Sequence, residues 1–341
     1  MRNQTYSMTE ISDLLSSAWI VRKNFIEGTH DSAFRLFNGF LEGFPSICVD
    51  IFGCTALIHN YNGTDDHRVS SIHDWIIENL QWIRCIIMKT RTAQTSREKR
   101  GTIIHGTTPD DKVCENGVWY TIDLTMNQDT SFYLDTRNLR KWAFDNLAGK
   151  TVLNSFAYTG SLGIAATAGG AERVIHLDRN RSFLNLAEKS CTLNNFTVKK
   201  QDFLADDFFT AISGFKRSGQ MFDCVFLDPP FFSTTPKGKV DLETGSNRLI
   251  NKIRPLIKHD GWLVAINNAI FLSGKDYLTS LETLCESGYL HIEHLIPVPD
   301  DFIGSDQTRS RDPLINPAPF NHSTKIALLR VKRKSEEKMK D

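Results

Sequence analysis

The sequence holds no apolar run long enough to cross a bilayer, and its opening residues 1–10 lack the charged-then-apolar layout of a secretory leader. Both absences point to a cytoplasmic protein with no membrane partner. Net charge is missing as well: 40 Lys and Arg residues balance 40 Asp and Glu, so no overall basic field is available to attract a polyanion. Any phosphate-binding surface must then be local, and two clusters qualify: Arg91, Arg97, Lys99 and Arg100, and later Arg330, Lys332, Arg333 and Lys334. A solvated surface explains each equally well. The seven cysteines include no Cys-x-x-Cys pair, and an odd number cannot all pair within the chain. That argues for reduced thiols rather than a disulfide framework. His176, His291 and His294 lie in or near apolar segments without metal-ligand spacing, so no metal is expected.

At 341 residues the chain exceeds one ordinary domain. Residues 1–31 carry Ile11, Leu14, Leu15 and Ala18 on one helical face and are expected to form an N-terminal helical arm. Residues 32–125 show short apolar runs punctuated by glycine around one helix-like segment at 69–80. This is the pattern of a small α+β domain, with strands near 35–40, 47–51, 54–58, 85–90 and 118–124 and a charged loop at 91–100. Residues 126–334 alternate strand and helix patterns, predicting a larger α/β domain, and 335–341 form a charged tail.

Within the larger domain, residues 151–170 read as a buried strand, a tight turn and a helix, the order that opens a βαβ unit. Asn154 and Phe156 end the strand, and Tyr158, Thr159 and Gly160 make the turn. Gly160 lacks the Cβ that would block a ligand, and the helix behind it offers unpaired N–H groups. The next strand, 173–177, ends at Asp178-Arg179, and a carboxylate about 20 residues past such a turn suits ribose hydroxyls. A nucleoside cofactor fits this pattern. A dinucleotide does not, because Gly160 and Gly163 fall short of Gly-x-Gly-x-x-Gly. A helix at 181–193 and a short strand ending at Asp202-Phe203 follow, where a carboxylate and a ring suit the amino group and face of an adenine.

The most specific stretch is Asp228-Pro229-Pro230-Phe231, which closes an apolar strand at 222–227. Two prolines stop strand pairing and stiffen the exit loop, and in an open α/β sheet ligands bind at that carboxyl edge. Asp228 can accept an N–H from a base, the prolines expose backbone carbonyls, and Phe231 offers a face for stacking. Beyond lie a polar loop to residue 245, a helix at 247–257, and a strand at 262–266 ending in Asn267-Asn268 at the same edge. A helix at 276–287, a strand at 292–298, a Pro-rich insert at 299–323 and a strand at 324–331 complete the pattern. The last two strands suit an antiparallel hairpin closing a seven-stranded sheet.

On these residues the chain resembles, over about residues 32–331, the class I S-adenosylmethionine-dependent methyltransferases of large-subunit ribosomal RNA. Residues 35–53 look like the start of that family's central α+β domain. Gln128-Asp-Thr-Ser-Phe-Tyr-Leu-Asp-Thr-Arg137 looks like its junction motif, normally Gly-Gln-Lys-Thr-Gly-Phe-Phe-Leu-Asp-Gln-Arg. In the family that motif helps enclose the cofactor, so the resemblance implies contacts from Gln128, Thr130 and Phe132. It also implies a Rossmann-like seven-stranded sheet, S-adenosyl-L-methionine as cofactor, and RNA, first of all rRNA, as partner.

Two departures bear on the substrate. Many relatives begin with an RNA-binding PUA domain, and residues 1–30 are too few to hold one. Relatives that make 5-methylcytosine carry a nucleophilic cysteine at the end of the fifth strand, where this chain has Ile266-Asn267-Asn268-Ala269. Cytosine C5 is a poor nucleophile until a thiolate adds at C6, and Cys224, inside the fourth strand, is not expected to substitute. Asn267 and its neighbour look like the relatives that methylate guanine N7, while Asp228-Pro-Pro-Phe would suit an exocyclic amine. The expectation is a methyltransferase acting at a guanine nitrogen of rRNA. A small-molecule or protein methyltransferase, or a cofactor- or RNA-binding module without catalysis, would share these motifs.

Overall fold

The computed structural model describes residues 8–26, 28–63, 66–243 and 245–333. Residues 1–7 of the expected arm, Lys334 of the second basic cluster and the tail at 335–341 lie outside them. The chain divides into two compact units, Met1–Leu134 with Pro299–Pro313, and Asp135–Val298 with Leu314–Asp341.

Unit 1 is built on a five-stranded sheet in which the strands Ala33–Asn38, Ile47–Phe52, Thr55–Asn60, Cys85–Thr90 and Thr102–His105 lie in chain order. The third and fourth run parallel, joined by the helix Asp66–Asn79, and the other pairs are antiparallel. That helix buries Ile72 and Ile76, and the helix Met8–Arg22 buries Ile11, Leu15 and Ala18 in the same core. Residues 8–22 are therefore not an arm, because their apolar face is consumed in packing. Residues 299–313 of the Pro-rich insert also belong to this unit. The buried Arg22 guanidinium donates to the Asp301 carbonyl at 3.0 and 3.1 Å, and the Arg35 amide donates to the Asp301 carboxylate at 2.9 Å. A second hairpin, Lys112–Glu115 with Val118–Thr121, turns on Asn116 (φ +54°) and Gly117 (φ +75°), the pair that a type I′ turn favours.

Unit 2 carries a seven-stranded sheet. We label its strands β1 (Thr151–Ser155), β2 (Arg173–Asp178), β3 (Phe203–Ala205), β4 (Phe222–Leu227), β5 (Ile257–Asn267), β6 (Leu290–Ile296) and β7 (Lys325–Val331). Their order is β3-β2-β1-β4-β5-β7-β6, parallel through β5, with β7 antiparallel to both neighbours. The expected seven-stranded Rossmann-like sheet with its closing hairpin is what the chain forms. Leu153, Ile175, Val225 and Leu263 face one core, and Val152, Val174, Phe226 and Val264 face another on the opposite side. Burial on both faces is why these strands read as continuous apolar runs.

Two expectations in this unit change. The segment after Phe231 is not a plain loop: Phe232–Thr235 pairs with Gly238–Asp241 as an antiparallel hairpin. The third strand starts at Phe203 and runs to Ala205 rather than ending at Asp202-Phe203.

Candidate carboxyl-edge site of unit 2

The parallel strands of unit 2 end together. Ser155 of β1 pairs with Leu177 of β2 on one side and with Leu227 of β4 on the other. The next residues, Phe156, Asp178 and Asp228, therefore stand level across the sheet. With neighbouring strands about 4.8 Å apart, the backbones of Asp178 and Asp228 lie about 10 Å from each other on either side of Phe156.

The turn after β1 is strained. Phe156 (φ +55°) and Tyr158 (φ +51°) both adopt the left-handed region without being glycine, at a cost on the order of 1–2 kcal/mol each. Asp178 holds them there: its carboxylate accepts the Tyr158 amide at 2.9 Å and the Asn180 amide at 2.8 Å. Burial raises the proton affinity of Asp178, while these amides and the exposed Arg179 beside it pull it back. The rings finish the turn, with Phe156 stacked on Phe208 and Tyr158 edge-on to Phe183. Thr159 is buried.

Gly160 is required, but for a different reason from the one its sequence suggests. A Cβ there would sit 2.5 Å from the Ala187 Cβ and 3.1 Å from His176 Nδ1, inside the protein rather than toward a ligand. Gly163 makes room for the same ring. His176, a buried residue of β2, stacks flat on Phe203 at 4.9 Å, and burial lowers it to about 4, which keeps it neutral. Asn154 is buried on β1, with its amide 3.5 Å from His176 Nδ1. Asn154, Phe203 and His176 thus fill the space beneath the turn. Asp202 lies at the amino end of β3, where it is paired with Arg173 at 2.6 Å. The residue that follows β3 at the carboxyl edge is the exposed Asp206, whose amide donates to the Asp178 carbonyl at 3.2 Å. Sequence reading missed it because a three-residue strand shows no period.

Asp228 follows β4, half-buried, with Pro229 buried and Pro230 exposed. Burial, and then the neighbouring Asp135 carboxylate, lift Asp228 to about 7. Phe231 beyond it is 43% exposed. Asn267, at the end of β5, is buried and both ends of its amide are committed. Nδ2 donates to the Leu242 carbonyl at 3.0 Å, and Oδ1 accepts the Ala269 amide at 2.9 Å. It is a brace rather than a group facing substrate, and the exposed residue of the pair is Asn268. Leu242 completes the brace by donating its amide to the Phe231 carbonyl at 3.0 Å. The buried Lys325 of β7 donates to the carbonyls of Ala269 and Ser323 at 2.9 and 2.6 Å, and burial lowers it to about 8. Cys224 lies mid-strand in β4, where burial pushes its thiol far up. Among the described residues, no cysteine lies on the carboxyl-edge loops of unit 2.

Gln128, Thr130 and Phe132 belong to unit 1 and are anchored within it. Lys89 donates to the Asn127 and Asp129 carbonyls at 2.6 and 3.0 Å, Arg91 pairs with Asp129 at 2.9 Å, and Gln128 donates to the Arg91 carbonyl. The Thr130 hydroxyl donates to the Phe132 carbonyl at 2.8 Å, and the Phe132 ring packs against Tyr120. Of the two basic clusters, Arg97 and Arg100 are exposed. In the second, Arg330 pairs with Glu293 at 2.7 Å and Lys332 with Asp260, while Arg333 bonds backbone carbonyls.

The set of acceptors at the carboxyl edge suits a cationic nucleoside. Two carboxylates flank a turn lined by aromatic rings, one able to accept hydroxyl or ammonium protons and the other a base N–H. Residues 102–315 match the model of a family described as S-adenosylmethionine-dependent methyltransferase. The chain is 31% identical over 240 residues to "Ribosomal RNA large subunit methyltransferase I" of Vibrio vulnificus (strain YJ016), covering 68% of this chain and 59% of that protein. Its counterpart in Aliivibrio fischeri (strain MJ11) is 31% identical over 225 residues, covering 64% and 56%. The chain thus spans under two thirds of the length of these curated relatives. Among solved structures, "A putative sam-dependent methyltransferase from Streptococcus mutans" superposes with TM-score 0.80 at 22% identity, over 97% of this chain and 83% of that one. One from Agrobacterium tumefaciens gives 0.62 at 16% identity, over 91% and 92%.

Proposed function

The chain belongs to the S-adenosylmethionine-dependent methyltransferase family, and from that premise we propose that it methylates a guanine nitrogen of ribosomal RNA by direct in-line transfer. The rRNA substrate is carried by the relatives named as large-subunit rRNA methyltransferases. The single observation that carries the choice of atom is Asp228, a carboxylate at the β4 rim beside the exposed Phe231, with no thiol on the neighbouring loops among the described residues. A carboxylate there attracts an N–H and repels a bare lone pair, so between the two guanine nitrogens it favours the exocyclic amine over N7.

S-adenosylmethionine supplies an electrophilic methyl on a sulfonium. Asp178 and the turn from Phe156 to Gly160 are suited to its ribose and amino acid portions, with Arg179 and Thr159 as further expected contacts. Asp228 accepts one amine hydrogen and the carbonyl of Pro229 or Pro230 the other, which localises the nitrogen lone pair that conjugation otherwise spreads into the ring. Phe231 stacks on the base and fixes its plane. The surplus proton passes to Asp228, whose proton affinity near neutrality suits that transfer. Orientation supplies most of the acceleration, because the methyl is already reactive. Incubation with methyl-labelled cofactor and unmodified rRNA, followed by digestion to nucleosides, tests the reading. Label in N2-methylguanosine supports it, and label in 5-methylcytidine overturns it.

A further inference from the structure

The hairpin at 232–241 has two unlike faces. Strand alternation sends Ser233, Thr235, Gly238 and Val240 inward: Val240 is fully buried, and a Cβ at Gly238 would lie 2.5 Å from the Phe209 ring. The outward face carries Phe232, Thr234, Lys239 and Asp241, with Thr234 opposite Lys239 and Phe232 opposite Asp241. Phe232 is 57% exposed, and the Lys239 ammonium lies 5.0 Å from its ring centroid. Lys237 is exposed at the turn. At its base the hairpin is tied through Leu242 to Phe231 on one side and Asn267 on the other. A rigid seat therefore presents one open ring and two cations beside the carboxyl edge.

We propose that this hairpin is a single-stranded RNA-binding ribbon, in which a base next to the target stacks on Phe232 while Lys237 and Lys239 hold adjacent phosphates. The assignment rests on the RNA-methyltransferase reading and extends it to the neighbouring nucleotide. An exposed aromatic ring with the Lys239 ammonium over it and Lys237 exposed at the same turn matches the alternation of base and phosphate along a strand. A polypeptide partner would call for a broader apolar face. The Lys239–Asp241 ion pair at 2.9 Å is half exposed on the lysine side, so it is readily exchanged for a phosphate. The location also explains why a chain without net charge need not carry a broad basic surface: stacking supplies part of the affinity.

The test uses the full chain, a fluorescein-labelled single-stranded RNA, and S-adenosylhomocysteine titrated in parallel. Phe232→Ala weakens RNA binding about tenfold. A Lys237→Ala/Lys239→Ala double variant lowers the slope of log affinity against log salt by about 1.4, the value for two phosphate contacts on a single strand. Both variants keep parental affinity for the nucleoside and parental melting temperature, since the altered side chains are exposed. Parental RNA affinity and salt slope in both variants overturn the proposal, which is also the result expected if the ribbon binds a protein. A parent that binds no RNA overturns it as well. A parent that binds RNA through these residues yet methylates none upholds the ribbon and sinks only the catalytic reading.

Discussion

Asp135 and Asp228 form a like-charged pair at the carboxyl edge, and Asp135 is itself held by the Thr324 hydroxyl at 2.7 Å. Burial and this neighbour together raise Asp228 to about 7. Because the carboxylate form accepts the substrate N–H, turnover rises as pH climbs through about 7. Asp135→Asn removes the repulsion and moves the midpoint to lower pH. Asp228→Asn lowers kcat on the order of a hundredfold while the affinity for S-adenosylhomocysteine stays within a factor of about three, roughly half a decade on the scale of binding energies. A pH–rate profile flat from 6 to 8 refutes the assignment. The stability sign is the opposite. A carboxyl whose folded proton affinity exceeds the unfolded value binds more protons when native, so stability falls as pH rises from about 4 to 7. Asp228→Asn flattens that stretch of the stability-against-pH profile, read as melting temperature at each pH.

Gly160→Ala meets two obstacles at once, a backbone at φ +82° and a Cβ 2.5 Å from Ala187. The expected loss is about 2–4 kcal/mol, read as a fall in the urea midpoint. Because the added methyl points at His176 and Ala187, the folded fraction keeps its nucleoside affinity. A variant with normal stability and abolished cofactor binding would restore the view that this glycine faces the ligand.

Asn267→Ala leaves the Leu242 carbonyl and the Ala269 amide without their partner. It costs about 1–3 kcal/mol and loosens the hairpin at 232–241, detectable as faster amide exchange there. The exposed Asn268→Ala changes stability by less than about 0.5 kcal/mol. Loss of turnover in Asn267→Ala at unchanged stability would instead place the amide in the chemistry.

Cys224→Ala retains methyl transfer, since the thiol is buried in mid-strand and held protonated. The parent forms no covalent adduct with RNA containing 5-fluorocytidine on a denaturing gel. An adduct lost in Cys224→Ala would revive the cytosine route.

The sheet of unit 2 was legible because β1, β2 and β4 are buried on both faces and so read as unbroken apolar runs ended by Asp178 and Asp228. What stayed hidden depends on pairing that no local pattern reports. β3 spans only Phe203–Ala205, too short for a period, and the sequence pattern ends the strand at Asp202-Phe203 although Asp202 lies before its start. The hairpin after Phe231 is mostly polar, but Pro236-Lys237-Gly238 between Phe232 and Val240 was a usable turn signal. Asn116-Gly117 was a stronger one for the hairpin of unit 1. Asn267 looked catalytic because its motif resembled one. Only the hidden hairpin, whose base supplies Leu242, reveals its bracing role. The role of His176 is the part least visible in the sequence: the spacing directs Gly160 toward a ligand above the turn, whereas a buried imidazole below it demands both Gly160 and Gly163.

Asp301 reaches the core of unit 1 from a point in the chain that follows six of the seven strands of unit 2. During synthesis the buried guanidinium of Arg22 can reach Glu42 and the Ala18 carbonyl early, but it lacks its two bonds to the Asp301 carbonyl until the chain has been made past residue 301. Domains commonly fold in the order they emerge. Here the earlier one must wait for the later, and a nascent chain halted before Asp301 carries an unfinished amino-terminal half whatever the state of its catalytic half.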